Sequence, residues 1–232
     1  MCEIKAWKNA LNRQKHGKYG INMEIEVKYN IGDKLVADKI WEEQLLQSYE
    51  EAESREKLFM KSAYFDTEDM VLYNNSMAFR VRLEGNRVVA TLKWQGNIDG
   101  ALHQVQEINV PVDDEACFLV PSPELFKESE IGQELIALLE NKHLICIVEV
   151  HYIRRRFRID KSNTIMEISI DEGEIVTDKG KQPISEVEIE LFSGEQEELV
   201  SLGQKIAEKY DLTPGVKSKY LRGLELLGIV KE

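Results

Sequence analysis

Strict alternation of apolar and charged residues is the dominant pattern of this chain, and residues 23–29 show it most clearly. Positions 25, 27 and 29 are apolar, whereas positions 24, 26 and 28 are charged. Successive side chains of a β-strand point to opposite faces, so this pattern predicts a strand with one apolar and one charged face. One such strand is typical of any half-buried sheet. Its recurrence along the chain, with acids and bases in similar numbers, indicates a more specific architecture.

Further segments repeat the alternation, and glycine-containing turn signals separate several of them. The predicted strands are residues 79–83, 88–94, 103–112, 153–159, 167–171 and 186–191. Apolar residues at helical spacing predict helices between and after them. These helices are residues 33 to about 55, a short one after Asp66 or Thr67 that ends near residue 75, and residues 122–139, 194–210 and 217–227.

The charged strand faces carry nearly equal numbers of acids and bases. They comprise Glu24, Glu26, Lys28, Arg80, Arg82, Lys93, Glu107, Arg154, Arg156, Glu167, Asp171, Glu188 and Glu190. Two arrangements are open: an open sheet with this face in water, or a sheet that closes into a barrel with the charges inside. About eight strands enclose a lumen wide enough for one small ligand.

A lumen with so many charges requires compensation, because buried charges are costly unless they are paired. Arginine and lysine suit phosphate oxygens, and clustered carboxylates suit hard cations such as Mg²⁺ or Mn²⁺. A closed barrel therefore predicts a polyanionic ligand bound together with divalent metal.

The amino-acid composition limits the number of domains and the classes of partner that the protein can have. A chain of 232 residues with 43% hydrophobic content can form one large domain or two small ones. Its net charge of −12 argues against a nucleic acid or an anionic membrane as partner. Three scattered cysteines predict neither disulfides nor a zinc site and suit a cytoplasmic protein. No apolar run is long enough for a membrane span or a signal peptide.

Residues 1–22 differ from the remainder because they are basic and lack strand alternation. We expect them to be an extension outside the fold, or the product of an upstream start, with a functional basic arm as the alternative. The predicted domain is residues 23–232.

Common catalytic motifs are absent: there is no G-x-x-x-x-G-K-[ST], H-E-x-x-H or G-x-S-x-G. The four histidines lack metal-ligand spacing and are expected at the surface or in packing positions. Trp41, Trp94 and Tyr64 are expected in the core rather than against an organic ligand. Trp94 also has the opposite parity to Lys93, which is expected to face inward.

The motifs taken together resemble the CYTH superfamily, the triphosphate tunnel metalloenzymes. The resemblance covers residues 23–227. It rests on the ExExK motif of residues 24–28, FRVR at 79–82, TLK at 91–93, Glu107, the arginine strand at 154–158, IDEGE at 170–174, EVEIE at 186–190 and SKYLR at 218–222.

The resemblance implies an α+β fold, with a closed antiparallel eight-stranded β-barrel and helices packed on its outside. It implies a small-molecule triphosphate substrate, bound by Lys28, Arg80, Arg82, Lys93, Arg154, Arg156, Lys217 and Lys219. It leaves open the choices between Arg154 and Arg156 and between Lys217 and Lys219. The implied ligands of Mg²⁺ or Mn²⁺ are Glu24, Glu26, Asp171, Glu188 and Glu190. The implied catalytic residues are Lys28, Glu107 and Arg156, in a monomer or homodimer.

Hydrolysis of inorganic tripolyphosphate is the first functional expectation, because every implied phosphate and metal position is filled and nothing in the sequence marks an organic pocket. Nucleoside or thiamine triphosphatase activity and class IV adenylate cyclase activity are alternatives within the same family. A non-catalytic triphosphate or polyphosphate sensor is the alternative outside enzymology, and loss of some metal carboxylates would favour it.

Overall fold

Eight long antiparallel strands form the framework of the computed structural model, which describes residues 20–113, 120–140 and 142–230. They are β1 (Asn22–Asn30), β2 (Glu56–Asp66), β3 (Met77–Glu84), β4 (Arg87–Asp99), β5 (Leu102–Val112), β6 (Ile145–Lys161), β7 (Thr164–Thr177) and β8 (Gly180–Ser193). Neighbours follow the order β5-β4-β3-β2-β6-β7-β8-β1, and pairing of β1 with β5 closes the barrel. The closed barrel is confirmed, and the open sheet is wrong. A two-residue strand, β9 (Thr213–Pro214), pairs with the end of β1.

Short helices cover the barrel. They are α1 (Lys34–Trp41), α2 (Gln44–Gln47), α3 (Val71–Asn74), α4 (Glu130–Leu139), α5 (Gln196–Tyr210) and α6 (Lys219–Leu226), with a 3₁₀ turn at Pro123–Phe126. No helix in these described ranges is both long and apolar enough to cross a membrane.

The outward faces of the strands supply two apolar cores beneath the helices. One core joins β1 and β6–β8 to α1 and α5, with Phe157 and Leu202 among its buried residues. The other joins β2–β5 to the 3₁₀ turn and α4, with Phe79, Phe126 and Leu135 buried together. Burial of each such side chain contributes roughly 1.5–3 kcal/mol. Because the helices cover the apolar faces on the outside of the barrel, the charged faces of the strands are directed inward.

Helix α6 packs against residues that face the lumen. Tyr220 and Leu224 share a buried cluster with Val148 and Ile175, which lie at inward positions of β6 and β7. A Cβ at Gly223 would lie 2.5 Å from the side chain of Val148, so only glycine permits this approach. Helix α6 therefore fills one end of the barrel.

The single helix predicted from residue 33 to about 55 is wrong: two helices, α1 and α2, occupy this segment. Glu43 separates them, with extended backbone (φ −64°, ψ 115°) and a carboxylate that accepts a hydrogen bond from the Leu45 amide. Glu43 is buried and also contacts Lys209 and Tyr210 of α5. Tertiary contacts thus end α1 at a residue of good helix propensity.

Two other predicted boundaries also change. The helix predicted from residue 122 begins at Glu130, because the Ser129 hydroxyl caps it by accepting a hydrogen bond from Gly132 N at 3.0 Å. Strand β4 continues five residues past Trp94 to Asp99, across an irregularity in its pairing with β5 between Trp94 and Asn97.

The predicted extension lies mostly outside the described residues, which begin at residue 20. Asn22 already belongs to β1 and pairs with Glu107, so the first strand begins one residue before the predicted boundary. The assignment of residues 1–22 as an extension stays a prediction.

Asp66 provides a test of how the barrel positions α3. Its fully buried carboxylate accepts hydrogen bonds from the amides of Thr67, Leu72 and Tyr73 at 2.7–2.9 Å. Asp66→Asn replaces one acceptor oxygen by a donor, and an unsatisfied buried group costs roughly 1–3 kcal/mol. We expect thermal unfolding to show a decrease in melting temperature of about 2–4 °C per kcal/mol. Glu68→Gln is the control, since Glu68 is exposed and makes no ion pair with a described residue; an equal decrease in that variant would contradict this role of Asp66.

Candidate active site

A cavity of about 440 Å³ occupies the barrel lumen, a volume that suits one small ligand. Charged side chains from many strands meet there because each strand presents alternate residues inward. The charged residues that line it are Glu24, Glu26, Lys28, Arg80, Arg82, Lys93, Glu107, Arg154, Glu188, Glu190 and Lys219.

The motif on β1 contributes three of these residues, and the register of β1 with β8 places their partners. Glu26 lies opposite Glu190, and Lys28 lies opposite Glu188. The Lys28 ammonium is 2.9 Å from Glu188 and 3.2 Å from Glu26. Burial alone would lower the pKa of Lys28, but these carboxylates raise it above its ordinary value. Lys28 therefore stays charged at neutral pH.

The two arginines of β3 supply buried donors that lack protein acceptors. Arg80 donates through Nη2 to Thr91 Oγ1 at 3.1 Å and makes no ion pair with any described residue. Arg82 pairs with Glu84. The Nε atoms of Arg80 and Arg82 are buried without a hydrogen-bond partner. Both arginines line the cavity, and buried donors are almost always satisfied, so the pair indicates an anionic ligand.

Lys93, on the neighbouring strand β4, links two carboxylates of β1 and β5. Its ammonium contacts Glu24 and lies 3.2 Å from Glu107. Burial alone would raise the pKa of Glu24, but Lys93 lowers it below its ordinary value. Burial alone would lower the pKa of Lys93, but Glu24 and Glu107 raise it. Both partners therefore carry charge.

Glu190 and Glu26 form the part of the lumen where negative charge is least compensated. Glu190 makes no hydrogen bond or ion pair with a described residue, and burial together with Glu24, Glu26 and Glu107 raises its pKa well above the ordinary value. Burial raises the pKa of Glu26 to about 7 despite Lys28. A divalent cation would remove this repulsion, and a set of carboxylate oxygens suits Mg²⁺ or Mn²⁺. Glu24, Glu26 and Glu190 all line the cavity, and Glu26 lies opposite Glu190, so they suit a metal ion by charge, although their oxygens do not all lie within 4.8 Å of one another.

Another group of carboxylates has oxygens close enough together to bind a metal ion, but protein cations already lie between them. One oxygen each of Asp171, Glu186 and Glu188 lies within 4.8 Å of the others. Arg154 contacts Asp171 at 2.7 Å and Glu188 at 2.5 Å, and the Lys219 ammonium contacts all three carboxylates. Asp171 is fully buried in this network and is not among the residues that line the cavity.

Two residues that the resemblance implies for substrate lie elsewhere in the structure. Arg156 pairs with Glu56 at 2.7 Å and lies 3.5 Å from Glu167, while Lys217 is partly exposed and pairs with Glu225. Neither lines the cavity, whereas Arg154 and Lys219 both do. Of the two pairs left open by the sequence, Arg154 and Lys219 are therefore the members that belong to the lumen.

Some cavity residues were not among the predicted site residues. Asn109 lines the cavity and accepts a 2.7 Å hydrogen bond from Thr91, which lies opposite it on β4 and is not part of the cavity lining. His103 is buried, lines the cavity and lies 2.8 Å from the Gly215 carbonyl, so Nε2 carries the proton that it donates. Its even spacing from Glu107 is the signal that would have placed it on the inward face.

Apolar and aromatic side chains extend the cavity beyond its charged part. They are Tyr64, Tyr73, Met77, Trp94, Ile98, Val105, Tyr152, Tyr220 and Leu221. Trp94 packs in the outer core beneath α4, as its parity predicts, and nevertheless borders the cavity, where the pairing of β4 becomes irregular. Tyr64 stacks on Tyr220 with ring centroids 5.0 Å apart.

The closed barrel and its lumen of acids and bases define a class of protein, and the comparison with known families agrees. The CYTH domain family model matches residues 22–224, so the chain belongs to the CYTH domain family.

Individual relatives extend this comparison. An inorganic triphosphatase of Haemophilus influenzae is 28% identical over 178 residues, which are 75% of this chain and 47% of that protein. The chain therefore spans about half the length of this relative. A solved Hippeastrum protein, a candidate adenylyl cyclase with a dominant triphosphatase activity, has a TM-score of 0.65 at 17% identity, over 90% of this chain and 97% of that one. A candidate adenylate cyclase of Bacillus halodurans has a TM-score of 0.55 at 18% identity, over 85% and 95% of the two chains. At these identities the solved structures support the fold alone.

Glu188 and Glu190 test the electrostatics of the lumen, because they lie two residues apart on β8 in opposite environments. In chelator, Glu190→Gln is expected to raise the melting temperature. A raised folded-state pKa contributes stability that is present below the unfolded pKa and is lost as pH rises through the folded pKa. The gain should therefore be small near pH 5 and grow with pH.

Glu188→Gln, the matched variant, is expected to lower stability by roughly 3–5 kcal/mol, because it leaves buried cations without their partner. Burial alone would raise the pKa of Glu188, but Lys219, Lys28 and Arg154 lower it well below the ordinary value. Its contribution is thus present above the unfolded pKa and lost only as pH falls through the folded pKa, so the loss should be nearly constant between pH 6 and 9. Thermal unfolding as a function of pH measures both variants, and equal effects would refute the contrast.

Proposed function

We propose that this protein hydrolyses a triphosphate, most directly inorganic tripolyphosphate, with Mg²⁺ or Mn²⁺ as the metal. The observation that carries the proposal is the pair of β3 arginines, Arg80 and Arg82, which line a small lumen and whose buried Nε atoms have no hydrogen-bond acceptor among the described residues. A triphosphate supplies several anionic oxygens in a row, and guanidinium groups suit such oxygens. Similarity to the Haemophilus influenzae inorganic triphosphatase supports the same reaction class.

In this proposal the arginines and the lysines of the lumen have different roles. Arg80, Arg82 and Arg154 hold the phosphate chain, and Lys28 and Lys93 neutralise its charge while fixing the neighbouring carboxylates. Positioning and charge neutralisation provide most of the catalysis in phosphoryl transfer. Barrel walls and α6 limit the water in the lumen, which strengthens these interactions.

The metal is assigned to Glu24, Glu26 and Glu190, where carboxylate charge is least compensated. When bound there, a divalent ion would neutralise phosphate charge and polarise the phosphoryl group. Asp171 and Glu188 were also expected among the metal ligands, but their contacts with Arg154 and Lys219 give them a different role in this proposal.

The attacking water requires a group that orients it and accepts its proton. Glu107 suits this role because it lies beside Lys93 at 3.2 Å and accepts a hydrogen bond from Asn109, which fix its orientation. Attack on the terminal phosphorus breaks the anhydride bond and releases phosphate and pyrophosphate from tripolyphosphate. Arg156, the third predicted catalytic residue, lies outside the cavity wall, and its catalytic role stays a prediction.

The apolar part of the cavity favours a second candidate, hydrolysis of an organic triphosphate. Tyr73, Met77, Trp94 and Ile98 line the same cavity as the charged residues, and a ring attached to a phosphate chain could contact them. Nucleoside and thiamine triphosphates have this form, and ATP is also the substrate of the adenylate cyclase alternative.

The experiment that tests the function is a substrate panel with the purified full chain and either Mg²⁺ or Mn²⁺. Tripolyphosphate, ATP, thiamine triphosphate and pyrophosphate are compared, and phosphate, pyrophosphate and cyclic AMP are measured separately. We expect phosphate release to be fastest from tripolyphosphate and to require metal. Faster release from ATP or thiamine triphosphate would favour the second candidate, and cyclic AMP with pyrophosphate would indicate a cyclase. Binding of tripolyphosphate without any turnover would support the sensor.

Arg80→Ala tests the binding role, because Arg80 is a lumen arginine that pairs with no carboxylate in the described part of the chain. Loss of a charge-assisted hydrogen bond costs roughly 1.5–3 kcal/mol, so kcat/KM for tripolyphosphate should fall about 10- to 150-fold. Arg87→Ala is the control, since Arg87 is exposed at the start of β4 and should leave the kinetics unchanged. Unchanged kcat/KM in a folded Arg80→Ala protein would argue against the proposed phosphate contact.

A further inference from the structure

The Lys219 ammonium lies in the middle of a carboxylate group that has the dimensions of a metal site. Nζ is 2.8 Å from Asp171 and 2.9 Å from Glu188, and it also contacts Glu186. The three carboxylates approach one another within 4.8 Å, which without a cation between them would be strongly repulsive. The ammonium thus occupies the position that a divalent ion would need.

Charge balance distinguishes this group from the carboxylates near β1. Asp171, Glu186 and Glu188 are contacted by Lys219, and Arg154 and Arg222 add two further cations. Three acids therefore meet at least three bases. A divalent ion added to this group would be repelled by the bases and would have to displace an ammonium.

Helix α6 fixes Lys219 in this position. Lys219 is its first residue, and the Ser218 hydroxyl caps the helix by accepting a hydrogen bond from Leu221 N at 3.1 Å. Lys219 is almost completely buried, and its ammonium also lies 5.2 Å from the centre of the Tyr152 ring. A long lysine held at both ends loses the freedom to follow a ligand. Its place among the carboxylates is therefore set by the fold.

We infer that Lys219 serves as a built-in cation that replaces a metal ion at Asp171, Glu186 and Glu188. In this arrangement Lys219 is a positioning residue, which keeps these carboxylates and Arg154 in place, and divalent metal binds only near Glu24, Glu26 and Glu190. The inference deepens the proposed function, because it assigns the cations of the same lumen. It requires no turnover for its test.

The test is a count of bound Mn²⁺ per chain, by electron paramagnetic resonance and calorimetry, without substrate. Lys219→Met removes the cation and retains the approximate length of the side chain, so it should bind one more Mn²⁺ than the unmodified protein. Lys219→Arg restores a cation and should return the count to that of the unmodified protein. Lys217→Met is the matched control for the count, because Lys217 lies two residues earlier and pairs with Glu225 outside the cavity.

Asp171→Asn and Glu190→Gln provide a second arm that does not depend on how Lys219→Met folds. Asp171→Asn should bind as many Mn²⁺ ions as the unmodified protein, whereas Glu190→Gln should lose one. Loss of one ion in Asp171→Asn would show that metal already binds among these carboxylates and would overturn the inference. A folded Lys219→Met protein with an unchanged count would also overturn it.

The two proposals fail separately in these experiments. If the unmodified protein binds Mn²⁺ with the predicted counts but releases no phosphate from any triphosphate, the proposed function fails and the assignment of Lys219 stands. If it hydrolyses tripolyphosphate but loses an ion in Asp171→Asn, the assignment of Lys219 fails and the function stands.

Discussion

Neutralisation of charge inside a closed barrel is the constraint on which the rest of this structure depends. Closure removes strand edges but leaves the inward residues of eight strands in a space with little water, where an unpaired charge is very costly. The inward residues here are nevertheless charged, and most of them are held in pairs across strands, such as Lys28 with Glu188 and Lys93 with Glu107. Some groups are not neutralised by these pairs. They are the Nε atoms of Arg80 and Arg82, which indicate an anionic ligand, and the carboxylate of Glu190, which suits a cation. An anionic ligand and a metal ion bound together would therefore balance the charges that remain unpaired in the lumen.

Parity along the strands predicted which residues share the charged face, but it left both an open sheet and a closed barrel open, and the family resemblance implied the closure. A strand period of two assigns every second residue to one face, and closure then brings residues such as Glu24, Arg80 and Glu188 into one cavity irrespective of their distance in sequence. Partner choice could not be predicted in this way, because it depends on the register between strands and on the tilt of the barrel. Arg154 and Arg156 have the same parity, but Arg154 lies opposite Asp171 and reaches Glu188, whereas Arg156 lies opposite Glu56 on β2 and pairs with it.

The predicted helix boundaries were wrong for a related reason. Residues around Glu43 have adequate helix propensity, and nothing local breaks the predicted helix there. The break comes from Lys209 and Tyr210, which are distant in sequence and hold the Glu43 carboxylate beneath α5. Local propensity is a weak preference that one buried polar contact can override. Ser129 illustrates the converse case, since a capping hydroxyl at the start of α4 was readable from the sequence but competed with Ser122, seven residues earlier.

The C-terminal segment completes the site in a way that strand patterns do not reveal. After α5 the chain returns to β1 at β9, where Gly215 N donates to the Lys28 carbonyl at 2.9 Å and the Gly215 carbonyl accepts from His103 at 2.8 Å. A Cβ at Gly215 would lie 2.7 Å from Cγ of Lys28, so glycine allows the segment to pack directly on the lysine of the β1 motif.

Only three residues separate Gly215 from Lys219, so contacts that fix Gly215 restrict where α6 can begin. The lysine at the start of α6 is thereby brought to the carboxylates of β7 and β8. The lumen is therefore assembled from both ends of the domain, since β1 supplies one set of charges and α6 supplies the cation that neutralises another. A local shift of β9 would move Lys28 and Lys219 together, and the charge balance of the cavity depends on their common anchor.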